Sequence, residues 1–304
     1  MNTKAKKHFE GVITALGTPL DENGNLHQES MRLQVHSQIE AGVSGLLCLG
    51  SMGLAQMQTP EVREQTVRVT MAAAKGHLPV LVGCGDCSTA RTLQYVDSAE
   101  TLKADGIVLI TPYFPRLTDE ELYDYFAQIA ARTKLPIYLY DIPYYTFRHL
   151  NPDLIIKLAK NIPNIVGIKS SGELTTLRSC IEHFWDKSSF TVLSGHSTFL
   201  DQALLMGADG IVDGLFVLAP RVALDLYAAA TSGNVIAALD AQRRLFRIRD
   251  ILIGESVIAT FSHLMNLLGV PGKFYCSPFS EISESGKERV QLMFQDLRDD
   301  LFTV

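Results

Sequence analysis

The stretch Ile165-Val166-Gly167-Ile168-Lys169-Ser170-Ser171-Gly172 combines a short apolar run with a single lysine at its end. Small polar residues follow Lys169 at once, which is typical of the point where a buried strand passes into a loop. An ammonium group is poorly solvated there, so we expect Lys169 to be neutral part of the time. A neutral amine can attack a carbonyl carbon and form a Schiff base. The alternative is a strand-end lysine whose side chain extends into water.

Eight short apolar runs, this one included, recur along the chain with helix-length segments between them. They are Val12–Leu16, Gly45–Leu49, Val80–Gly83, Ile107–Ile110, Ile137–Tyr140, Val166–Lys169, Thr191–Ser194 and Ile211–Asp213. Successive runs start mostly about 20 to 35 residues apart, which leaves room for a strand, a loop and a crossover helix. Continuous apolar runs suit parallel strands that are buried on both faces. The sequence therefore predicts an α/β fold, a (β/α)8 TIM barrel.

A doubly wound open sheet is the alternative to the barrel, but no G-x-G-x-x-G follows the first run to favour it. Helix-start signals lie between the runs, at Thr59-Pro60, at Thr118 with Glu121 three residues later, and at Asn151-Pro152. After Pro220 the strand signals stop and only helical patterns follow. We predict a barrel over residues 1–225 and a helical appendage over residues 226–304.

Composition and charge exclude several classes of partner. The 304 residues carry 27 Lys and Arg against 33 Asp and Glu, for a formal net charge of −6. A nucleic-acid surface needs a basic excess or stripe, so we expect no nucleic-acid partner. No apolar run approaches the length that spans a bilayer, and residues 1–10 lack the apolar core of a signal peptide. We therefore expect a cytoplasmic protein with no membrane partner.

The five cysteines are Cys48, Cys84, Cys87, Cys180 and Cys276. An odd number in a large chain without a signal peptide favours free thiols. Cys84 and Cys87 form a C-x-x-C after a strand, for which a redox role is the alternative use. No second C-x-x-C or paired histidine accompanies it, so we expect no bound metal and no cofactor.

Catalytic groups of a TIM barrel lie at the carboxyl ends of its strands. The second run ends in Gly50-Ser51-Met52-Gly53, where backbone N–H groups and the Ser51 hydroxyl could hold a carboxylate. Side chains alternate along a strand, so Tyr140 and Lys169 can project into the same barrel mouth from adjacent strands. A phenol there can move protons while a carbinolamine forms and collapses. A tight turn and a core tyrosine are the alternatives.

Several motifs occur in a characteristic order and spacing. They are Thr14-Ala15-Leu16-Gly17-Thr18-Pro19, Gly50-Ser51-Met52-Gly53, Thr111-Pro112-Tyr113-Phe114, Tyr140-Asp141-Ile142-Pro143, Gly167-Ile168-Lys169 and Ser194-Gly195. Together they resemble the dihydrodipicolinate synthase and N-acetylneuraminate lyase family of Schiff-base aldolases. The resemblance implies Lys169 as the catalytic Schiff-base lysine and Tyr140 as the catalytic proton shuttle. It also implies that Ser51 and the backbone near Met52 bind the carboxylate of a 2-keto acid, in a homotetramer built as a pair of dimers.

Four positions depart from the family pattern. Met52 stands where the family commonly has a second threonine, and Phe114 where many members have a tyrosine that reaches across the dimer interface. Tyr145 replaces the arginine by which the synthases bind their second substrate. His196 stands where sialic acid lyases carry acidic residues. The sequence therefore resembles neither namesake enzyme in its specificity residues.

We predict an unphosphorylated substrate, because no glycine-rich phosphate pattern follows the seventh or eighth run. The predicted substrate-binding residues are Ser51, Met52, Phe114, Tyr145, Ser171, Gly195, His196 and Val212. The leading hypothesis is a lyase that cleaves a 4-hydroxy-2-keto acid, such as a 2-keto-3-deoxy sugar acid, into a pyruvate-type keto acid and an aldehyde. One alternative is a dehydratase that uses the same lysine imine. Another is a degenerate family member that binds a keto acid without turnover.

Overall fold

The computed structural model describes residues 9–186 and 189–302. In these residues eight parallel strands close into a barrel in chain order. The strands are β1 Gly11–Ala15, β2 Gly45–Cys48, β3 Val80–Gly83, β4 Gly106–Ile110, β5 Ile137–Asp141, β6 Ile165–Ser170, β7 Thr191–Ser194 and β8 Gly210–Asp213. Each agrees with the predicted run to within one residue at either end. The predicted TIM barrel is confirmed.

Helices alternate with the strands and continue after the last one. They are α1 Gln28–Ala41, α2 Pro60–Ala74, α3 Thr89–Thr101, α4 Asp119–Ala130, α5 Pro143–Thr146, α6 Pro152–Asn161, α7 Leu174–Phe184, α8 Leu200–Leu205, α9 Pro220–Thr231, α10 Val235–Ile251, α11 Val257–Leu267 and α12 Glu284–Asp296. The side chains of Thr59, Thr118 and Asn151 cap α2, α4 and α6 as predicted. The predicted domain boundary at residue 225 falls inside α9, and the boundary itself stays a prediction.

The barrel interior is filled from the bottom and open at the carboxyl ends of the strands. Phe9 packs edge-to-face on Tyr138, with ring centroids 5.6 Å apart, and closes the bottom. Inward-facing side chains form the inner core, which comprises Phe9, Ile13, Ala15, Leu47, Leu81, Val108, Ile110, Tyr138, Tyr140, Ile142, Leu193 and Val212. Side chains of opposite orientation pack outward against the helices. Tyr140 therefore lies near the top of the packed interior, where the barrel opens.

The carboxyl-terminal helices cover one side of the barrel and reach back to its mouth. Residues 268–283 contain no helix and return to the first barrel loop, where Lys273 pairs with Leu20. Phe274 is buried there and packs edge-to-face on Phe261. The appendage thereby places the start of α11 and the segment before α12 beside the barrel mouth.

Two predictions concern the ends of the chain and membranes. The prediction that residues 1–10 form no signal peptide falls mostly on residues 1–8, which lie outside the described residues. None of the helices in residues 9–186 and 189–302 combines the length and the apolar character that crossing a membrane requires.

Candidate active site

Lys169 and Tyr140 meet at the barrel mouth from adjacent strands. They are direct partners in the register of β5 and β6, so both side chains project inward at the same level. Lys169 is only 4% exposed, and its Nζ lies 4.2 Å from the centroid of the Tyr140 ring. An amine held this close to an aromatic face is largely removed from water. This is the environment in which a lysine can act as a nucleophile.

The absence of a side chain at Gly195 leaves room for the Lys169 side chain. A Cβ atom at residue 195 would lie 2.6 Å from Lys169 Cε and 2.4 Å from Ser171 Oγ. The backbone N–H of Gly195 donates to the Ser170 carbonyl at 2.7 Å, which holds the two strand ends together. The glycine therefore allows the lysine stem to lie flat across the end of β7.

Ser51 lies within hydrogen-bond distance of the Tyr140 hydroxyl. Its Oγ is 3.2 Å from the Tyr140 oxygen, and either group can donate. The chain reaches Ser51 through Leu49, which has a φ of +56°. The Leu49 carbonyl turns so far toward β3 that a Cβ at residue 83 would lie 1.9 Å from it, so Gly83 permits the turn.

The loop after β2 can hold an anion through its backbone. Among the described residues, no hydrogen bond occupies the N–H groups of Ser51 and Met52. Thr18 fixes the loop by donating its hydroxyl to the Gly53 carbonyl at 2.8 Å. The Met52 side chain packs against Gly214, where an added Cβ would lie 2.4 Å from its Cε. Met52 therefore offers its backbone to this site, while its side chain points toward the end of β8.

A cavity of about 300 Å³ opens beside the Ser51–Tyr140 pair. Tyr145 lines it, and its predicted role in substrate binding stays a prediction. Tyr144 packs edge-to-face on Tyr145 at 5.0 Å and is itself exposed. The cavity lies on the β2–β5 side of Lys169.

On the β6–β8 side the predicted binding groups bond to their own or the neighbouring loop. Ser171 Oγ donates to the Gly195 carbonyl at 2.7 Å. His196 Nδ1 lies 2.7 Å from Thr198 Oγ1, and its ring stacks on Phe199 at 4.2 Å. Burial lowers the pKa of His196, so its imidazole is biased toward the neutral form.

Val212 and Asp213 end β8 beside these residues. The Val212 side chain is buried in the barrel core, and its carbonyl oxygen is the part that approaches Gly195. Asp213 accepts the backbone N–H of Leu215 at 2.9 Å. Burial raises the pKa of the Asp213 carboxyl, and the Lys169 charge acts in the opposite direction. Asp213 is therefore a polar group near the lysine that already caps the short 3-10 helix Gly214–Val217.

Phe114 is the one predicted binding residue that lies far out on the surface of the chain. Its side chain is 97% exposed and its φ is +78°, a left-handed conformation that is unusual for an aromatic residue. It does not contribute to the cavity wall beside Tyr140. Within a single chain Phe114 is not brought to Lys169.

Tyr113 and its partner Asp86 had no predicted role. Tyr113 lines the cavity and donates its hydroxyl to Asp86 Oδ1 at 3.1 Å. Asp86 is buried and also accepts from Arg91 Nε at 2.8 Å. Their pairing joins the ends of β3 and β4, and no local sequence signal indicates it.

The cysteines do not form disulfides in this structure, as the sequence predicted. All five are free. Burial raises the pKa of Cys84 to about 12, which leaves little of the reactive thiolate that a redox role for its C-x-x-C needs. Residues 9–186 and 189–302 contain no group of three or more His, Cys, Asp or Glu side chains that could hold a metal ion.

The order of these motifs on a closed barrel matches a known family. The family model described as the dihydrodipicolinate synthetase family matches residues 8–297. The chain belongs to this family. Its members are lyases and synthases that act through a lysine Schiff base, so the prediction of a class I lyase is confirmed.

Individual relatives of this family are similar over nearly the whole chain. The "probable 2-dehydro-3-deoxy-D-pentonate aldolase YjhH" of Escherichia coli K12 is 31% identical over 294 residues, covering 94% of this chain and 97% of the relative. A 4-hydroxy-tetrahydrodipicolinate synthase of Thermotoga neapolitana is 34% identical over 263 residues, covering 86% of this chain and 89% of the relative. The crystal structure of YagE, an Escherichia coli K12 prophage protein in complex with pyruvate, superposes with a TM-score of 0.89 at 30% identity, covering 95% and 99% of the two chains.

Proposed function

We propose that this protein is an aldolase that cleaves, or forms, the bond between C3 and C4 of an unphosphorylated 4-hydroxy-2-keto acid. The products of cleavage are pyruvate and an aldehyde, and 2-keto-3-deoxy sugar acids are one group within this substrate class. The observation that carries the proposal is the buried Lys169 amine against the Tyr140 ring, with the Ser51 hydroxyl bonded to the phenol.

Lys169 performs the covalent step. Its Nζ attacks the C2 carbonyl carbon, a C–N bond forms, and the carbinolamine loses water to give a protonated imine. The imine accepts the electron pair of the C3–C4 bond as that bond breaks, and an enamine remains. Protonation at C3 and addition of water then release pyruvate and the free amine. The added water replaces the water that was lost when the imine formed.

Tyr140 transfers the protons of this sequence. Its ring centroid lies 4.2 Å from Lys169 Nζ and its hydroxyl oxygen lies 3.2 Å from Ser51 Oγ, so a proton can pass from the carbinolamine oxygen through the phenol to a second hydroxyl. The same phenol can take the proton of the C4 hydroxyl when C3–C4 breaks. Ser51 is thus a positioning and relay group for Tyr140.

The keto acid's carboxylate binds to the loop after β2 in this proposal. The free N–H groups of Ser51 and Met52 lie next to the hydroxyl pair and supply the donors that an anion needs. Pyruvate fits the proposal because YagE, a relative of similar fold, binds it. Gly195, Ser171 and Val212 are proposed to act beneath the substrate by fixing the lysine stem.

Tyr145 argues for a second substrate unlike that of the synthases. It lines the cavity in the place of their arginine and offers no positive charge to a carboxylate. This supports an enzyme other than dihydrodipicolinate synthase. One relative is named a probable 2-dehydro-3-deoxy-D-pentonate aldolase, and this name is consistent with the general class of reaction.

Product analysis with 4-hydroxy-2-oxopentanoate tests the proposal, because this acid carries the reacting atoms and only a methyl tail. We expect equal amounts of pyruvate and acetaldehyde, measured by coupled reduction of each product. Loss of water without release of pyruvate would replace the aldolase with a dehydratase that uses the same imine.

We also propose that the protein assembles as a homotetramer, a pair of dimers. The exposed aromatic side chains near the barrel mouth support a contact with a second copy, and they are Phe114, Tyr144 and Phe147. Sedimentation velocity of the unaltered chain and of Phe114→Asp tests this, since the variant should shift the protein toward smaller species. A cytoplasmic location is proposed from the five free cysteines.

A further inference from the structure

The cavity beside Tyr140 begins at the reacting groups and extends away from them. Ser51 and Tyr140 form its inner end, and Tyr140 is also the residue against which the Lys169 amine lies. The start of α11, at Ile258, and Phe279 border the cavity on the appendage side. Its volume of about 300 Å³ reaches the lower end of the range for small-molecule sites. A substrate tail beyond C4 therefore has a defined space to enter.

The wall of this cavity is apolar between its two ends. Val108 and Ile110 of β4 and Ile142, directly after β5, are buried and line it. Leu54 and Ile258 face them from the loop after β2 and from α11. Among the described residues that line the cavity, none has a charged side chain.

Two polar side chains in the wall already have partners elsewhere. Tyr113 donates its hydroxyl to Asp86, which the Arg91 guanidinium holds in place. Thr146 directs its hydroxyl to the backbone carbonyls of Ile142 and Arg148, at 3.3 and 3.0 Å. Their hydrogens are therefore not available to a tail lying in the cavity. Gln56 and Tyr145, both partly exposed, are the polar side chains left for it near the opening.

We propose that this cavity binds the tail of the aldehyde, and that the tail is apolar, aliphatic or aromatic, rather than polyhydroxylated. The inference rests on the proposed aldolase function and narrows its substrate class away from the sugar acids. In the condensing direction the enamine carbon C3 bonds to the aldehyde carbon, and the carbonyl π bond breaks. The aldehyde oxygen takes up a proton and becomes the C4 hydroxyl. The tail of the aldehyde lies against Ile110 and Ile142. No oxidant or reductant is required.

Desolvation decides between the two kinds of tail. A hydroxylated tail forms hydrogen bonds to water before it binds. In the cavity the hydroxyls of the wall are already bonded, so the tail's hydroxyls would lose those hydrogen bonds without replacement. An apolar tail has no hydrogen bonds to water to lose, and burial of its surface makes the free energy of binding more favourable. A pocket of this type typically separates ligands that differ by a single methylene by about 10-fold or more.

The test is a comparison of aldehydes with equal carbon number in condensation with pyruvate. The pairs are propanal with D-glyceraldehyde and butanal with D-erythrose, and benzaldehyde is added as an aromatic probe. We expect kcat/KM for butanal to exceed that for D-erythrose by at least about 10-fold, and to exceed that for propanal. The same preparation is treated with pyruvate and sodium borohydride to record the adduct on Lys169.

A pair of variants on α11 locates the effect in the cavity. Ile258 is 8% exposed and faces the cavity, whereas its neighbour Val257 is 47% exposed and faces away. Ile258→Thr should lower the ratio of kcat/KM for butanal to that for D-erythrose by about 10-fold. Val257→Thr introduces the same hydroxyl outside the cavity and should leave the ratio unchanged. Should Ile258→Thr fail to fold, the aldehyde panel on the unaltered chain still decides the question.

The outcomes separate this inference from the function on which it rests. A Lys169 adduct together with a preference for D-glyceraldehyde and D-erythrose would overturn the apolar tail and leave the aldolase in place. The absence of any adduct on Lys169 would overturn the aldolase and the inference together. An adduct with the apolar preference, reduced in Ile258→Thr, supports both.

Discussion

Lys169 divides the barrel mouth into two halves of contrasting chemistry. The half at β2–β5 holds the cavity, with apolar walls and the Ser51–Tyr140 hydroxyl pair at its inner end. The half at β6–β8 carries Ser171, His196 and Asp213, each of which bonds to its own or the neighbouring loop. The cavity therefore lies on one side of Lys169, and the polar strand-end residues on the other side are already bonded to loop groups.

The contrast shows that residue type alone does not identify a binding surface. Serine, histidine and aspartate at strand ends suggest substrate contacts, yet here Ser171 and Asp213 bond to backbone groups and His196 bonds to the Thr198 hydroxyl. Valine, isoleucine and leucine suggest core, yet six of them line the cavity. On this account the β2–β5 half accepts the substrate tail and the β6–β8 half positions the amine.

The largest effect is expected from the residue that both halves share. Lys169→Ala removes the nucleophile and should reduce kcat by at least about 10³-fold in any aldol assay with pyruvate. Lys160→Ala, on the exposed face of α6, is the control and should retain full turnover. Appreciable turnover in Lys169→Ala would show that Lys169 is not the nucleophile, and the roles given to the two halves would no longer hold.

Tyr140 tests whether the chemistry belongs to the β2–β5 half. Tyr140→Phe keeps the ring against Lys169 but removes the proton carrier, so kcat should fall by about 10² to 10⁴-fold while borohydride still traps an adduct. Tyr138→Phe changes the same face of the same strand two residues deeper, beside Phe9, and should leave kcat unchanged. Equal losses in both variants would indicate damage to the barrel core.

Gly195 tests whether the β6–β8 half positions the amine. In Gly195→Ala the new Cβ would meet Lys169 Cε at 2.6 Å, so the stem must shift, and a shift near 1 Å can cost about 10²-fold in kcat. Gly195→Ala combined with Ser171→Ala relieves the contact with Ser171 Oγ alone. We expect the double variant to stay impaired in kcat. Recovery would assign the loss to Ser171 and contradict the role given to Lys169.

Asp213 should give the smallest effect, in stability. Because burial raises its pKa, the folded chain holds the proton more tightly than the unfolded chain. Its stabilising contribution is complete below the unfolded pKa of about 3.9 and is lost as the pH rises through the folded pKa. Asp213→Asn keeps an acceptor for Leu215 and should gain stability relative to the unaltered chain as the pH rises above the unfolded pKa of the carboxyl, measured by urea unfolding.

Activity of the same variant sharpens the comparison. If Asp213 acts as a helix cap, Asp213→Asn should keep kcat close to that of the unaltered chain. A fall of about 10²-fold or more would make Asp213 a proton-transfer group, and the β6–β8 half would then share in the chemistry.

The barrel was predictable because each of its strands has a local signal in the sequence. Apolar runs such as Val80–Gly83 are short, continuous and separated by helix-length segments, and the register that aligns Tyr140 with Lys169 follows from level strand ends. Helix starts such as Thr118 with Glu121 depend on bonds between residues three apart, which the sequence displays directly.

The cavity was less predictable because distant residues build it. Ile258 and Phe279 come from the appendage, and Tyr113 is turned by Asp86, which is 27 residues earlier in the chain. Phe114, predicted to bind the substrate, has a left-handed backbone and a ring on the surface of the single chain, so its role stays a prediction. Such positions depend on tertiary packing, for which no periodicity or spacing provides a signal.

Trapping with pyruvate tests the central claim most directly. The unaltered protein is incubated with pyruvate and sodium borohydride, digested, and analysed by peptide mass spectrometry, with Lys169→Ala treated in parallel. The account predicts a reduced pyruvate adduct on the peptide that carries Lys169 and none in the variant. An unmodified Lys169, or an adduct on another lysine with equal yield in both proteins, would contradict it.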